Sequence, residues 1–244
     1  MKDDRKLVIG GGISVLRAIF DLLGIEQMHA ADGALRHGVL YDLVARGQEE
    51  TDLRAVSVQR MASRFDVDTQ QAQRVAKLAC TLYGQLQTGS GVAASEVVRQ
   101  QRKLNWAGQL HEIGCQISHQ DHHKHGAYVL ENADAPGFAL LELHRLSQLV
   151  LGHRGKLRKL ELDFADAAFM QQLLCLRLAT MLCHARRDPD TAGLELHIDP
   201  ALASQFVLST RPGWAQAFPQ SAHLLREEAQ AWQKTPWSLQ LSEA

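Results

Sequence analysis

The spacing of apolar and polar positions divides the chain into three regions. In the first, Lys6–Ile9 has a strand-like apolar pattern, and Gly10–Gly12 lead into an apolar run at helical spacing that stops at Gly24. Residues 25–30 fit a second strand, and Asp32 can cap a helix over residues 34–45. Two strands and two helices cannot bury a sheet face alone. Residues 1–48 are therefore predicted to be one edge of a larger α/β domain.

The middle region, residues 49–190, has the periodicity of successive amphipathic helices. Asp68 is placed to cap one of them, while Asp163 and Asp166 lie at the start of another, as the helix dipole prefers. The pattern predicts helices over residues 51–65, 68–87, 94–111, 122–132, 138–151 and 163–186.

In the last region, residues 191–244, apolar and polar positions alternate. Gly193–Asp199, Gln205–Thr210 and Trp237–Leu241 read as strands, and Pro219–Gln233 reads as a helix with its proline in the first turn. The sequence thus predicts a mainly α protein with a small ββαβ domain of the α+β class at its end.

Composition narrows the function classes. The 244 residues carry a net charge of −1 and are 45% hydrophobic, a globular composition that argues against a bulk nucleic-acid binder. No apolar run approaches the roughly 18 residues of a membrane span, and the N-terminal apolar run is too short for a signal peptide. The four cysteines form no CxxC pair. We therefore expect a cytoplasmic protein with no membrane and no nucleic-acid partner.

Two segments have the composition of phosphate-binding elements. Glycines before a helix can direct backbone N–H groups at a phosphate, although their spacing alone favours a tight strand-to-helix turn. A basic strip follows His153 without an intervening acid and could lie along a polyanion, or be an ordinary solvated loop. The candidate phosphate-binding residues, with two bases that could join the strip, are Gly11, Gly12, Lys124, Arg145, Arg154, Lys156, Arg158 and Lys159.

Histidine is abundant: five of the 12 lie between His111 and His125. Leu110-His-Glu-Ile-Gly114 resembles the signature of the HD superfamily of metal phosphohydrolases, in which a His–Asp pair and two further ligands hold a divalent metal. Here the acid is Glu112, the helix over residues 71–87 lacks a histidine, and Thr180 stands where that superfamily has its last Asp. We expect an HD-like fold with a degenerate site and no tightly bound metal. The residues of that degenerate site are His111, Glu112, His122, His123 and His153.

Five spaced motifs together resemble the exopolyphosphatase / guanosine pentaphosphate phosphatase family, and more closely exopolyphosphatase. They are Val8–Leu16, Ala31–Leu43, Leu110–Gly114, Lys124–Tyr128 and Pro136–Phe138. The resemblance implies that residues 1–48 are the last piece of an actin-like phosphatase domain, 49–190 an HD-like helical domain and 191–244 a small C-terminal domain.

The same resemblance implies a function. Family members hydrolyse the terminal phosphoanhydride of inorganic polyphosphate and need Mg²⁺ and a catalytic glutamate in an N-terminal actin-like domain, of which this sequence shows no phosphate loop. We expect this chain to supply polyphosphate binding and homodimerisation, with an actin-like domain as a partner, and leave open whether it is itself an enzyme. The alternatives are a free-standing HD-type metal phosphohydrolase and a non-catalytic helical interaction module.

Overall fold

The computed structural model of the protein describes residues 8–27, 52–157, 160 and 163–243. The chain divides into two compact units, Met1–Glu49 and Glu50–Ala244. Among the described residues, no helix is long and apolar enough to cross a membrane. The mainly helical fold with a small sheet at the C-terminal end is confirmed.

The first unit is described through helix α1, Ile9–Leu23, which ends at Gly24 in the left-handed conformation. The predicted strand at Lys6–Ile9 is wrong at Ile9, where the helix already begins, and Gly10–Gly12 form its first turn. Glycine is tolerated there because the first N–H groups of any helix lack an intrahelical acceptor. Of the predicted strand over 25–30, residues 25–27 are irregular and the rest lies outside the described residues, as do Lys6 and the predicted helix over 34–45.

The second unit begins with six α-helices. The side-chain cap predicted at Asp68 is present, since Asp68 accepts from the backbone N–H groups of Gln70 and Gln71. Asp166, predicted to lie at a helix start, caps that helix by accepting from the N–H of Phe169. The helices are α2 Leu53–Arg64, α3 Thr69–Gln87, α4 Ala94–Leu110, α5 His122–Glu131, α6 Leu140–Gly152 and α7 Ala167–Leu182, with a short 3₁₀ turn at Ile113–Gln116.

The C-terminal part forms a three-stranded sheet in the order β1-β2-β3. Strand β1 (Glu195–Ile198) pairs antiparallel with β2 (Gln205–Thr210), and β2 pairs parallel with β3 (Ser238–Glu243). Helices α8, Trp214–Ala217, and α9, Pro219–Trp232, form the crossover that parallel pairing requires.

Helix α7 is the centre of the second unit. It packs against α3, α4, α6 and α9, and 11 of its 16 residues are buried. Aromatic side chains from the sheet and from α9, such as Phe206 and Trp232, belong to the same hydrophobic core as the α7 leucines. Because one core runs through both parts, the helical region and the terminal sheet fold as one compact unit.

Candidate functional site

Three histidines at three helix ends lie side by side. His111 follows the last residue of α4, His122 is the first residue of α5, and His153 follows the last residue of α6. Their ring centroids are 5.4 Å apart for His111 and His153, and 5.3 Å apart for His122 and His153. His123 lies next to them, with its ring 6.0 Å from that of His122. The structure therefore brings together all four histidines of the predicted degenerate site, which we call the histidine cluster.

The same local hydrogen bond orients three of these rings. The Nδ1 atom lies 2.7 Å from the Gly108 carbonyl in His111, 2.9 Å from the His119 carbonyl in His122 and 2.6 Å from the Val150 carbonyl in His153. A carbonyl oxygen only accepts, so each Nδ1 carries the proton and each Nε2 is left as an acceptor. The Nε2 atoms of His122 and His153 face each other at 3.3 Å.

Close backbone packing sets the spacing of the cluster. A side-chain carbon added to Gly114 would lie 2.1 Å from the carbonyl oxygen of His122 and 2.5 Å from the amide nitrogen of Gly126. The 3₁₀ turn and α5 thus meet backbone to backbone, which only glycine permits at position 114. This contact holds the start of α5, and with it His122, close to the end of α4.

Burial disfavours the charged form of three histidines in the cluster. Desolvation lowers the pKa of His111, and that of His153 falls well below its ordinary value because the ring is buried and His111 is near. Burial and the proximity of His122 also lower the pKa of His123, whose Nδ1 is buried without a hydrogen-bond partner among the described residues. The neutral imidazole is therefore favoured at neutral pH in His111, His123 and His153.

The acid of the HD-like pair does not join the histidines. Glu112 Oε1 accepts from Arg186 Nη2 at 2.8 Å, and the same guanidinium donates to Asp68 at 2.6 Å. The Thr180 hydroxyl donates to the Arg177 carbonyl at 2.8 Å. Within the described residues, no three His, Cys, Asp or Glu side chains form a group that could hold a metal, and Mg²⁺, which prefers oxygen ligands, does not fit the histidine cluster.

The basic strip is only partly described. Arg154 and Lys156 are exposed, whereas Arg158 and Lys159 lie outside the described residues. A side-chain carbon added to Gly155 would lie 3.4 Å from His123 Nε2, so the loop between Arg154 and Lys156 borders the histidine cluster. We call Arg154–Lys156 the basic loop.

A buried ion pair between Arg177 and Glu228 holds the backbone at the basic loop. Arg177 donates to the carbonyls of Gly152 at 2.7 Å and Gly155 at 3.2 Å, and to Glu228 Oε2 at 2.7 Å. Glu228 also accepts from the Trp232 indole. Sequence reasoning missed Arg177, although a single arginine inside the apolar run Leu173–Leu178 is the signal of a buried ion pair.

The other predicted phosphate ligands among the described residues each have their own surroundings. Arg145 donates to Asp166 at 2.6 Å and to Gln172 at 3.0 Å, and it lines a cavity of about 450 Å³ with Lys103 and the carboxylates of Glu142, Asp163 and Asp166. Lys124 is exposed and pairs with Asp121 at 3.0 Å. Gly11 and Gly12 are exposed in α1. Their role in phosphate binding stays a prediction, and the acids beside Arg145 make that residue the weakest of the set.

Two family models and several known proteins are similar to the chain in sequence. A family model described as Ppx/GppA phosphatase, domain III, matches residues 53–229, and one described as the Ppx/GppA phosphatase family matches residues 1–47. The chain is similar to a guanosine-5'-triphosphate,3'-diphosphate pyrophosphatase of Pseudoalteromonas translucida (strain TAC 125), at 33% identity over 98% of this chain and 47% of that protein. Proteins of the same name from Vibrio atlanticus (strain LGP32) and Aeromonas hydrophila are 35% and 31% identical over 85% and 99% of the chain, and 39% and 48% of their own lengths.

The chain spans about half the length of the curated relatives that it matches. The matched domain III covers the histidine cluster, the basic loop and the Arg177–Glu228 pair, and the resemblance to the family is confirmed. The closer resemblance to exopolyphosphatase is not, because the relatives named above are guanosine-5'-triphosphate,3'-diphosphate pyrophosphatases. The chain belongs to the Ppx/GppA phosphatase family.

Proposed function

We propose that this chain is the C-terminal, polyphosphoryl-binding portion of a phosphatase that hydrolyses phosphoanhydride bonds. The match of residues 53–229 to domain III of the Ppx/GppA phosphatases carries the proposal. In this assignment the chain holds the substrate, and the catalytic glutamate and Mg²⁺ belong to the actin-like region that the family resemblance implies. Its location in the cytoplasm stays an expectation.

The basic loop is the proposed contact for the phosphates. Arg154 and Lys156 offer two exposed cationic groups on a backbone that Arg177 holds in place. Guanidinium and ammonium groups bind phosphate oxygens through charge-assisted hydrogen bonds, and a preformed backbone lowers the ordering cost of binding. Arg158 and Lys159 follow directly in the sequence and extend the basic run.

Two ligands share the chemistry that the loop would recognise. The motif resemblance favours inorganic polyphosphate, whereas the relatives' names refer to guanosine-5'-triphosphate,3'-diphosphate. Both carry a run of anionic phosphates, so we propose a polyphosphoryl group as the ligand class. Long polyphosphate gains affinity with chain length through multiple contacts, while the nucleotide binds with one fixed stoichiometry.

The test is a titration of the purified chain with each ligand at two salt concentrations, with chelator present. The double substitution Arg154→Ala with Lys156→Ala is expected to weaken binding about tenfold, the equivalent of about 1.4 kcal/mol. Arg60→Ala with Lys77→Ala removes the same charge from exposed positions elsewhere and serves as the control. The basic-loop assignment is wrong if affinity falls only in the control protein, or if it falls in neither the control nor the basic-loop variant.

An actin-like domain and a second copy of the chain are the proposed protein partners. Helix α1 exposes apolar side chains including Ile13 and Leu22, and residues 1–47 match the family model. Without an actin-like partner, we expect the chain to release no orthophosphate from either ligand in the presence of Mg²⁺ and K⁺. Light scattering tests the proposed homodimer, and robust phosphate release by the isolated chain would contradict the division of roles.

A second candidate function is a metal-dependent phosphohydrolase of the HD type. The convergence of His111, His122 and His153 favours it. Two observations weigh against it: Glu112 is paired with Arg186, and no group of three His, Cys, Asp or Glu side chains among the described residues could hold a metal. Phosphate release that chelator and His111→Ala both abolish would favour this candidate, and a chain that binds neither ligand would be a helical interaction module.

A further inference from the structure

The two edges of the C-terminal sheet differ. At the outer edge of β1, the Gln85 side chain from α3 accepts from the Leu196 N–H at 2.9 Å and donates to the Leu194 carbonyl at 3.1 Å. An amide side chain therefore occupies backbone groups of this edge. Strand β3 forms the other edge, and within the described part of the chain no further strand pairs with its outer side.

The register of β3 shows which backbone groups its open edge presents. The Ser238 N–H donates to the Ser204 carbonyl at 3.0 Å, so the parallel ladder to β2 uses Ser238 and every second residue after it. The N–H and C=O groups of Leu239 and Leu241 therefore point outwards. Residues 238–242 contain no charge and no proline, the usual means by which proteins protect an edge. The open edge is thus a template for one more strand.

This edge is complementary to itself. When two copies of β3 run antiparallel about a two-fold axis at Gln240, Leu239 of each copy lies opposite Leu241 of the other, and their outward backbone groups bond to each other. Both leucines belong to or pack against the hydrophobic core, so the pairing extends an apolar face. On the other face, Ser238 lies opposite Ser242 and Gln240 opposite itself. The paired segment therefore brings no like charges together.

A groove beside β3 leaves space for the added strand. It is a cavity of about 470 Å³ lined by residues of α9, among them Arg226 and Gln230, and by both Leu239 and Gln240 of β3. Successive strand residues point to opposite faces of a sheet, so a space that touches both of these residues lies along the edge of the strand.

We propose that β3 pairs antiparallel with β3 of a second copy of this chain, so that the two three-stranded sheets join into one continuous sheet. The inference rests on the homodimer within the proposed function and names the surface that forms it. The same residues contribute from both copies, as a two-fold interface requires. A strand of a different protein could use the same edge, and the test separates it from a second copy.

The first test is sedimentation equilibrium of the unmodified chain and of Gln240→Lys and Gln240→Glu. Each substitution alone places like charges opposite each other at the two-fold axis, so we expect the dissociation constant of the dimer to rise at least about tenfold. An equimolar mixture of the two variants should recover the dimer, because opposite charges then face each other. His197→Lys is the matched control, since His197 is exposed and lies in the same cross-strand row as Gln240, at the β1 edge.

Two results would overturn the proposal. A dimer that Gln240→Lys leaves as tight as in the unmodified chain is formed by another surface. A chain that stays monomeric at all concentrations has no partner copy on β3, and the open edge then serves a strand of a different protein. The polyphosphate titration of the basic loop is a separate readout, so either failure is distinguishable from a failure of the proposed ligand binding.

A second measurement needs no variant and remains decisive if the substitutions unfold the protein. Amide hydrogen exchange is followed in the unmodified chain at concentrations below and above dimer formation. The outward N–H groups of Leu239 and Leu241 should exchange more slowly only in the dimer, whereas the Ser238 N–H, which is bonded within the chain, should exchange alike in both. Equal exchange of the two leucines in monomer and dimer would exclude β3 as the contact.

Discussion

Helices α1 and α7 are both rich in apolar residues, yet they lie at opposite extremes of burial. Within the described part of the chain, α1 buries none of its side chains, whereas α7 buries 11 of 16. Each also carries an arginine with an acidic partner: Arg17–Asp21 is exposed, and Arg177–Glu228 is among the most buried pairs. The contrast shows that an apolar helical pattern predicts the helix but leaves open whether the chain itself supplies the packing partner.

The largest expected effect comes from breaking the buried ion pair. Glu228→Gln leaves the Arg177 charge without its counterion in the core, and we expect a loss of about 3–5 kcal/mol in the free energy of unfolding. Asp21→Asn in α1 should cost no more than about 0.5 kcal/mol, because both partners are well solvated. Urea denaturation measures the free energy of unfolding of both variants. If Arg177→Met combined with Glu228→Leu is no more stable than Glu228→Gln, the loss is not due to an unpaired charge.

The next effect is that of a cavity. Leu174 in α7 is completely buried, so Leu174→Ala should cost about 2–5 kcal/mol. Leu22 in α1 is 85% exposed, and Leu22→Ala should stay within about 0.5 kcal/mol. Urea denaturation curves of the two variants test this prediction. A cost for Leu22→Ala close to that of Leu174→Ala would mean that α1 is packed against a partner in solution, such as a second copy.

A smaller effect is expected at the start of α7. Asp166→Ala removes the cap on the Phe169 N–H and should cost about 1 kcal/mol. Burial alone would raise the pKa of Asp166, but hydrogen bonds from Arg145 and from the backbone lower it. A carboxyl whose pKa is lower in the folded state stabilises the fold above its unfolded pKa of about 4, and this contribution is lost as pH falls through the folded value.

Melting temperatures at neutral and acidic pH test this linkage. The Asp166→Ala protein should lose less stability on acidification than the unmodified protein. Asp163→Ala is the control, since Asp163 accepts from the Ala165 N–H before α7 begins. Parallel acid sensitivity in the Asp166→Ala and unmodified proteins would contradict the pKa assignment.

The smallest effect concerns the start of α1, where the N-cap Val8 makes no side-chain cap bond among the described residues. Val8→Ser supplies a hydroxyl acceptor for the first turn and should stabilise the helix by about 0.5–1 kcal/mol. Slower amide hydrogen exchange across α1 is the expected readout. Val15→Ser, an exposed position within the helix, should not slow exchange, and if it does, capping is not the cause.

Local signals in the sequence predicted much of the fold. Asp68 and Asp166 marked helix starts because a cap is a contact within three residues, and the alternation in Gln205–Thr210 marked a strand because one face meets the core. The glycines of α1 led to a wrong prediction at Ile9, because a run of glycine favours a turn after a strand but is also tolerated in the first turn of a helix.

The candidate site was predictable in its parts and not in its assembly. His111, His122 and His153 stood out as separate segments, but their contact depends on how α4, α5 and α6 pack. The partners of Glu112 and of the basic loop, Arg186 and Arg177, are distant in sequence and lack a motif. Such contacts are set by tertiary packing, which sequence spacing does not encode.

The close approach of Gly114 to the backbone of Gly126 fixes the distance between the 3₁₀ turn and α5. With no side chain between the 3₁₀ turn and α5, the distance from His111 to His122 is set by main-chain atoms, which cannot be compressed or change rotamer. Gly114→Ala would therefore change the spacing of His111 and His122 without altering either histidine. Any redesign of these two histidines therefore has to begin with Gly114, because the glycine sets the spacing at which their rings can meet.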